Sequence, residues 1–282
     1  IKNCLYILLY NFASVYIVVI NKKKPMKTLV IIPSRLSATR LPGKPLLKIN
    51  GISMISHVFK KAEKANIGEV VVATEDQEII DDVTQNGGQA ILTKRNHKTG
   101  TDRIYEALQK LNSPNIDLIL NLQGDEPLMD VDDIKNLNNQ MKTNHYQLGT
   151  LASKISNKEV LVNENIVKVI TKQKLDNSNF PEALNFIRKI LGENENTYHH
   201  LGIYCYRKET LERFISYKQS LNEINNNLEQ LRALDNNIKI NVALAKSSPI
   251  GIDTLEDFVA IKKIMEYKSW WVKFIFKEPL VH

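Results

Sequence analysis

Two periods of apolar spacing alternate along this chain. Residues 28–32 (Thr-Leu-Val-Ile-Ile) are an unbroken apolar, β-branched run, as in a parallel strand buried on both faces. After the turn signal Asn50-Gly51, the apolar positions Met54, Ile55, Val58, Phe59, Ala62 and Ala65 fall on one face of a helix. The alternation continues with strands over 69–74, 89–93, 116–122 and 148–155. Helices are expected over 76–86, closed by Gly87-Gly88, and over 101–111 and 130–141. Strands alternating with helices predict an α/β fold: a mainly parallel, Rossmann-like sheet with helices on both faces. Between 156 and 237 the pattern changes. Strands over 167–170 and 201–206 are separated by Asn-rich loops (176–179 and 193–196), and helices over 208–217 and 221–234 follow. This stretch reads as a smaller α+β cap or dimerisation region inserted into the main fold. Residues 238–245 return to the sheet, and Asp253-Thr254 opens a last helix with acids in its first turn.

The two ends differ from this body. Residues 4–20 are almost wholly apolar and are followed by Asn21 and three lysines. Seventeen residues lie at the short limit for a membrane span, and the lysines would suit a positive-inside flank. The stretch lacks a basic leading segment and a small-residue cleavage site, so a cleaved signal peptide is not expected. The reading we favour takes 1–25 as an extension, with the working protein starting at Met26 and active without it. Residues 268–282, including Trp270-Trp271, read as a similar tail beyond the last core helix.

Charge adds little. The net +7 is concentrated at the ends, +4 within 1–25 and +2 within 268–282, which leaves +1 for the body. A nearly neutral body gives no support to a nucleic-acid partner. Cys4 and Cys205 make no metal or redox motif and suit a reducing compartment, so a cytoplasmic location is expected.

Candidate chemistry lies in the loops after strands, where open α/β sheets bind ligands. Residues 33–45 (Pro-Ser-Arg-Leu-Ser-Ala-Thr-Arg-Leu-Pro-Gly-Lys-Pro) place Arg35, Arg40 and Lys44 in one Gly-containing loop that could wrap a polyphosphate. It is neither a P-loop nor a Gly-x-Gly-x-x-Gly fingerprint, and a basic loop is often only solvated. Gln123-Gly124-Asp125-Glu126-Pro127 ends another strand. Asp125 there either caps the next turn or binds Mg²⁺, a hard cation held by one or two carboxylates and substrate phosphates. Gly251-Ile252-Asp253 reads as a short strand delivering a second carboxylate, with helix capping as its alternative.

Five motifs in register carry a resemblance. The loop at 35–46 already resembles the nucleotide-binding signature of the CMP-sugar synthetases; the five motifs are His97-Lys98-Thr99-Gly100-Thr101-Asp102-Arg103, Gln-Gly-Asp-Glu-Pro, His200-Leu201-Gly202-Ile203-Tyr204, Leu228-Glu229-Gln230-Leu231-Arg232 and Gly251-Ile252-Asp253-Thr254. The likeness is to the 3-deoxy-manno-octulosonate (KDO) cytidylyltransferases in particular and spans about 26–267. It implies transfer of CMP from CTP to KDO with release of pyrophosphate, activating KDO for lipopolysaccharide synthesis, in a homodimer using Mg²⁺. Arg35, Arg40 and Lys44 would hold the triphosphate. Asp125 and Asp253 would hold the metal. Pro33, Ser34, Thr99, Gly100 and Thr101 would read cytosine and ribose, with Gln123 between ribose and sugar. Arg188, His200, Glu229 and Gln230 would bind the sugar acid, Arg188 at its carboxylate. Departures from the family pattern include Ala38 at a Ser position, Lys94 at an Arg position, Asn185-Phe186-Ile187-Arg188 in place of Tyr-Phe-Ser-Arg, and Asn226 at a Glu position.

Overall fold

The computed structural model describes the backbone of residues 6–11, 14–19, 25–37, 40–143, 145–190, 195–249 and 251–275. Strand β1 (Thr28–Ser34) is buried along nearly its whole length, as its apolar run requires. It lies between two parallel neighbours, β2 (Gly68–Thr74) and β4 (Leu118–Asn121), and the short β3 (Ala90–Leu92) pairs beyond β2. Helices α1 (Met54–Ala65), α2 (Gln77–Gln85), α3 (Gly100–Leu111) and α4 (Val131–Thr143) connect these strands. This is the parallel centre flanked by helices that the alternation predicts.

The α1 face named from its period is buried at all six positions. Its large apolar side chains each contribute about 1.5–3 kcal/mol on burial. The Ser53 hydroxyl accepts the Ser56 N–H as N-cap, and Asp82 of α2 accepts from both serine hydroxyls. The helix stops at Asn66, which turns left-handed at φ +49°. One apolar cluster (Val58, Phe59, Ile134, Met141) fills the α1–α4 side of the sheet. Another (Ile104, Leu108, Leu211, Phe214) fills the opposite side, beneath α3 and α5 (Lys208–Ser216).

The stretch expected as an inserted cap does not form a separate layer. Its strands β6 (Lys168–Thr171), β7 (Ala183–Ile187) and β8 (Thr197–Arg207) join the main sheet. The eleven-residue β8 runs antiparallel and pairs with β4, with β5 (Leu148–Ser153) and with β6. Strand β9 (Ile240–Leu244) adds parallel to β5. The single helix expected over 221–234 is in fact two, α6 (Leu221–Asn226) and α7 (Leu231–Asp235). Asn227 sits left-handed at φ +51° and caps α6, a conformation Asn adopts more readily than most residues.

At the N-terminus, Tyr6–Asn11 and Ser14–Val19 form an antiparallel hairpin, not a helix. Among the described residues no helix is long and apolar enough to cross a membrane. Residues 1–5 and 20–24, with the lysine flank, lie outside the described residues, as do 191–194, which take in the first half of the second Asn-rich loop, and Ala38. The last helix, α8 (Leu255–Ile275), continues through 268–275, so the tail does not begin after the core helix; residues 276–282 lie outside the described residues.

Candidate active site

The loop after β1 is fixed at both ends. The Leu36 N–H donates to Asp76 Oδ2 at 2.7 Å, and the Gly43 N–H closes back on the Leu36 carbonyl at 3.1 Å. Gly43 takes φ +70°, where a Cβ would be strained, and turns the chain so that Lys44 opens a short 3₁₀ turn. The Lys44 ammonium then points to the end of the adjacent strand. It donates to Asp125 Oδ2 at 2.8 Å and to the Ile252 carbonyl at 2.6 Å, and lies 3.6 Å from Asp253 Oδ1.

Asp125 and Asp253, 128 positions apart in sequence, therefore converge on one cation. No strand delivers Asp253: residues 251–253 are irregular, which corrects the reading from sequence. The segment is held by the Ile252 N–H, which donates to the Asp125 carbonyl at 3.0 Å. Beneath it Ile252 is fully buried with Ile49, Met54, Phe258 and Ile261. The Asp257 carboxylate accepts the Asp253 and Thr254 N–H groups, and Thr254 Oγ1 accepts from Asp257 N–H, capping the start of α8. Arg40 pairs with the other face of Asp253 at 3.2 Å, though both side chains are largely exposed. Gly124 permits the tight packing here, because a Cβ would lie 3.1 Å from the Pro33 carbonyl.

Two clefts meet at this point. The smaller, about 320 Å³, is lined by Pro33, Ser34, Arg35, Arg40, Lys44, Thr99, Gly100, Gln123, Asp125 and Asp253. Every nucleotide and phosphate residue inferred from sequence is there except Thr101, which is buried. Thr99 also caps α3 in a reciprocal box with Asp102. The larger cleft, about 630 Å³, contains His200, Glu229 and Gln230, and shares Arg40, Gln123, Asp125 and Asp253 with the first. Arg188 is not among the residues lining either cleft. Its guanidinium donates instead to the carbonyls of Asn226, Glu164 and Asn227 at 2.9–3.0 Å.

The larger cleft holds titratable groups in unusual states. Burial, then the Asp125 charge, pushes the Glu126 carboxyl up to about 8, with the Gly202 N–H opposing; its Oε2 has no hydrogen-bond partner. Burial also raises Glu229, against the Thr99 and Thr101 hydroxyls and Arg232. His200 accepts or donates at Thr150 Oγ1 (3.0 Å) and packs edge-on against Phe186. Burial, then the His199 charge, lowers its pKa from 6.5 to about 3. A histidine held neutral in the fold but free to charge when unfolded makes stability fall with pH through the window from 6.5 down to about 3. At pH 5 the loss from this group is about 2 kcal/mol relative to neutral pH. His200→Gln should therefore narrow the gap between chemical-denaturation stabilities measured at pH 7 and pH 5 by about that amount.

Some cleft residues were not singled out from sequence. Arg103 lies buried at the smaller cleft, held by Glu75 at 2.5 Å and Thr93 at 2.7 Å. Glu126 and Tyr204 lie in the larger one. All three belong to motifs already quoted, so position within a motif was the available signal. His97 also reaches the smaller cleft, and its ring bonds to Glu106. Burial raises the Glu106 carboxyl, but Lys110, the Lys94 N–H and His97 together hold it down at about 2.

The chain as a whole is similar to known proteins. A solved structure of CMP:2-keto-3-deoxy-manno-octonic acid synthetase complexed with CTP matches with a TM-score of 0.77 at 34% identity, over 86% of this chain and 99% of that one. A 3-deoxy-manno-octulosonate cytidylyltransferase of Rhodopseudomonas palustris is 41% identical over 243 residues, 86% of this chain and 98% of its own. Another, from Brucella canis, is 42% identical over 82% of this chain and 93% of its own. Residues 29–240, from within β1 to the start of β9, match the model of the cytidylyltransferase family, and the chain is a member of that family.

Proposed function

We propose that this cytidylyltransferase transfers CMP from CTP to KDO, giving CMP-KDO and pyrophosphate, the activated sugar for lipopolysaccharide synthesis. The observation that carries the reading is the meeting of a basic cleft and a larger polar cleft at Asp125 and Asp253. CTP occupies the smaller cleft, with cytosine and ribose against Pro33, Ser34 and the Thr99–Thr101 turn. Arg35, Arg40 and Lys44 neutralise the triphosphate. The sugar acid occupies the larger cleft, near His200, Glu229 and Gln230, with Gln123 at the junction. The sugar's anomeric hydroxyl attacks the α-phosphorus, a P–O bond forms, and the bond to the leaving pyrophosphate breaks. Such chemistry needs positioning and charge neutralisation more than covalent help. Charge grows on the departing pyrophosphate, where Lys44 and the two arginines act most strongly.

The site chemistry fits Mg²⁺. The Lys44 ammonium already stands among two carboxylates and a carbonyl, all hard oxygen donors. Asp125 and Asp253 would hold the ion, which would supply polarisation of the α-phosphate when bound. Lys44 would then be released to the phosphates. The reading carries with it a homodimer in the cytoplasm.

The experiment is pyrophosphate release from CTP and Mg²⁺ with KDO, compared with sialic acid as acceptor. Rapid release with KDO and little with sialic acid is the expected result. Release with sialic acid alone, or with neither sugar, overturns the substrate assignment.

A further inference from the structure

Behind the larger cleft two cations are spent entirely on backbone. Arg188 Nε donates to the Asn226 carbonyl at 3.0 Å, Nη1 to Glu164 at 3.0 Å and Nη2 to Asn227 at 2.9 Å. Lys168 is fully buried, and its ammonium donates to the carbonyls of Asn163 (2.6 Å), Ile166 (2.8 Å) and Arg188 (2.5 Å). Six carbonyls from three separate segments are gathered by two adjacent side chains. Two of those segments line the cleft, one through Asn163 and Ile166 and the other through Asn227 to Gln230. Arg188 is the direct link between them, bonded to Glu164 in the first and to Asn226 and Asn227 in the second.

We propose that Arg188 and Lys168 form a clasp that sets the spacing of these two walls, so that Arg188 is a positioning residue for the sugar acid, not a ligand to its carboxylate. The proposal rests on the KDO reading given above. Three arguments support it. Arg188 lines neither cleft, and three of its five N–H donors, the Nε–H included, are already spent on carbonyls. The carbonyls it holds belong to a turn that needs holding. Asn227 is left-handed, α6 ends there, and Glu229 and Gln230 follow before α7 begins. Finally, a fully buried ammonium on three carbonyls is a costly arrangement to retain, and it is satisfied only if the 163–166 turn and the Arg188 backbone stay in place. Burial, then the neighbouring guanidinium, lowers the Lys168 pKa, in keeping with a cation enclosed by protein.

The test combines amide hydrogen exchange with steady-state kinetics on the full chain. In Arg188→Ala, exchange should quicken in both 163–167 and 226–231 and stay unchanged around Lys44. The KM for KDO should rise about tenfold to a hundredfold, the loss typical of misplaced positioning groups, with the KM for CTP altered less than about twofold. Lys168→Met should reproduce the pattern, and the double variant should be no worse than the more severe single one, because both act through one device. Lys168→Gln, which keeps two N–H donors, replaces it if the Met variant does not fold. Unchanged exchange with a raised KM for KDO would mean that Arg188 touches the sugar, and would overturn the proposal. Quickened exchange with an unchanged KM would overturn it too, because the walls would then not need the clasp. Multiplicative effects in the double variant would count equally against it. The exchange measurement does not depend on which sugar is the substrate, so it stands even if the KDO assay fails.

Discussion

Asp125→Asn is expected to lower turnover by about 10²–10³-fold, the size of loss seen when one preorganised electrostatic contact to a transition state is removed. Asp125 closes the strand end where the two clefts join, and its Oδ2 is the nearest carboxylate oxygen to the Lys44 ammonium. Asn has the same shape and can still accept from Lys44, so the loop is kept while the negative charge is lost. The carboxylate is partly exposed, so the change strands no buried charge. Asp253→Asn should act in the same direction, since its Oδ1 lies 3.6 Å from the same ammonium. The check is kcat at saturating CTP and KDO, with thermal melting as control. Near-normal turnover in both variants, with intact melting, would remove these two residues from the reaction.

The largest effect on stability is expected from Glu223→Ala. Glu223 and Arg232 are both almost fully buried and joined through two hydrogen bonds of 2.6 and 2.7 Å. Glu223 also completes the reciprocal cap of α6 with Ser220, and Arg232 lies over the Phe214 ring. Removing the carboxylate leaves a guanidinium buried without its main partner, which costs about 3–5 kcal/mol. Against a typical total of about 5–15 kcal/mol this is severe, and melting should drop by about 10 °C. Denaturant unfolding measures it directly. If the cost arises from the stranded charge, the double change Glu223→Leu, Arg232→Met should recover much of the loss. A loss below about 1 kcal/mol in Glu223→Ala would show that water reaches Arg232 in the variant.

The elements most legible in the sequence were those with one dominant force. The α1 face and the β1 run are set by burial alone, and burial leaves its period in the residues. The 33–45 loop and the Gln123–Pro127 turn were legible because their special residues, Gly43 and Gly124, meet geometric needs that few other residues meet. What was missed depended on distant partners. The break at Asn227 is invisible in a stretch that reads as helical, because three successive asparagines leave open which of them turns left-handed. Asp253 reaches Asp125 through one backbone hydrogen bond and the packing of Ile252, and neither has a sequence period. Arg188 shows the same gap. Its charge suggested an anion, but its place in the fold gives it carbonyls.

Strand β8 has a consequence for how the chain acquires its structure. It pairs with β4, β5 and β6, so its partners lie between residues 118 and 170, while β8 itself is complete only at Arg207. Until then, a chain emerging from the ribosome presents the buried, apolar β4 as an open edge, able to pair with any other strand it meets. Closing it requires contacts across many tens of residues, which slows the search. Once β8 enters, it closes that edge and joins β4 to β5 and β6. The larger cleft, lined by residues 199–202 and 204 of β8, cannot form before that strand is in place, and neither cleft is complete until Asp253 follows.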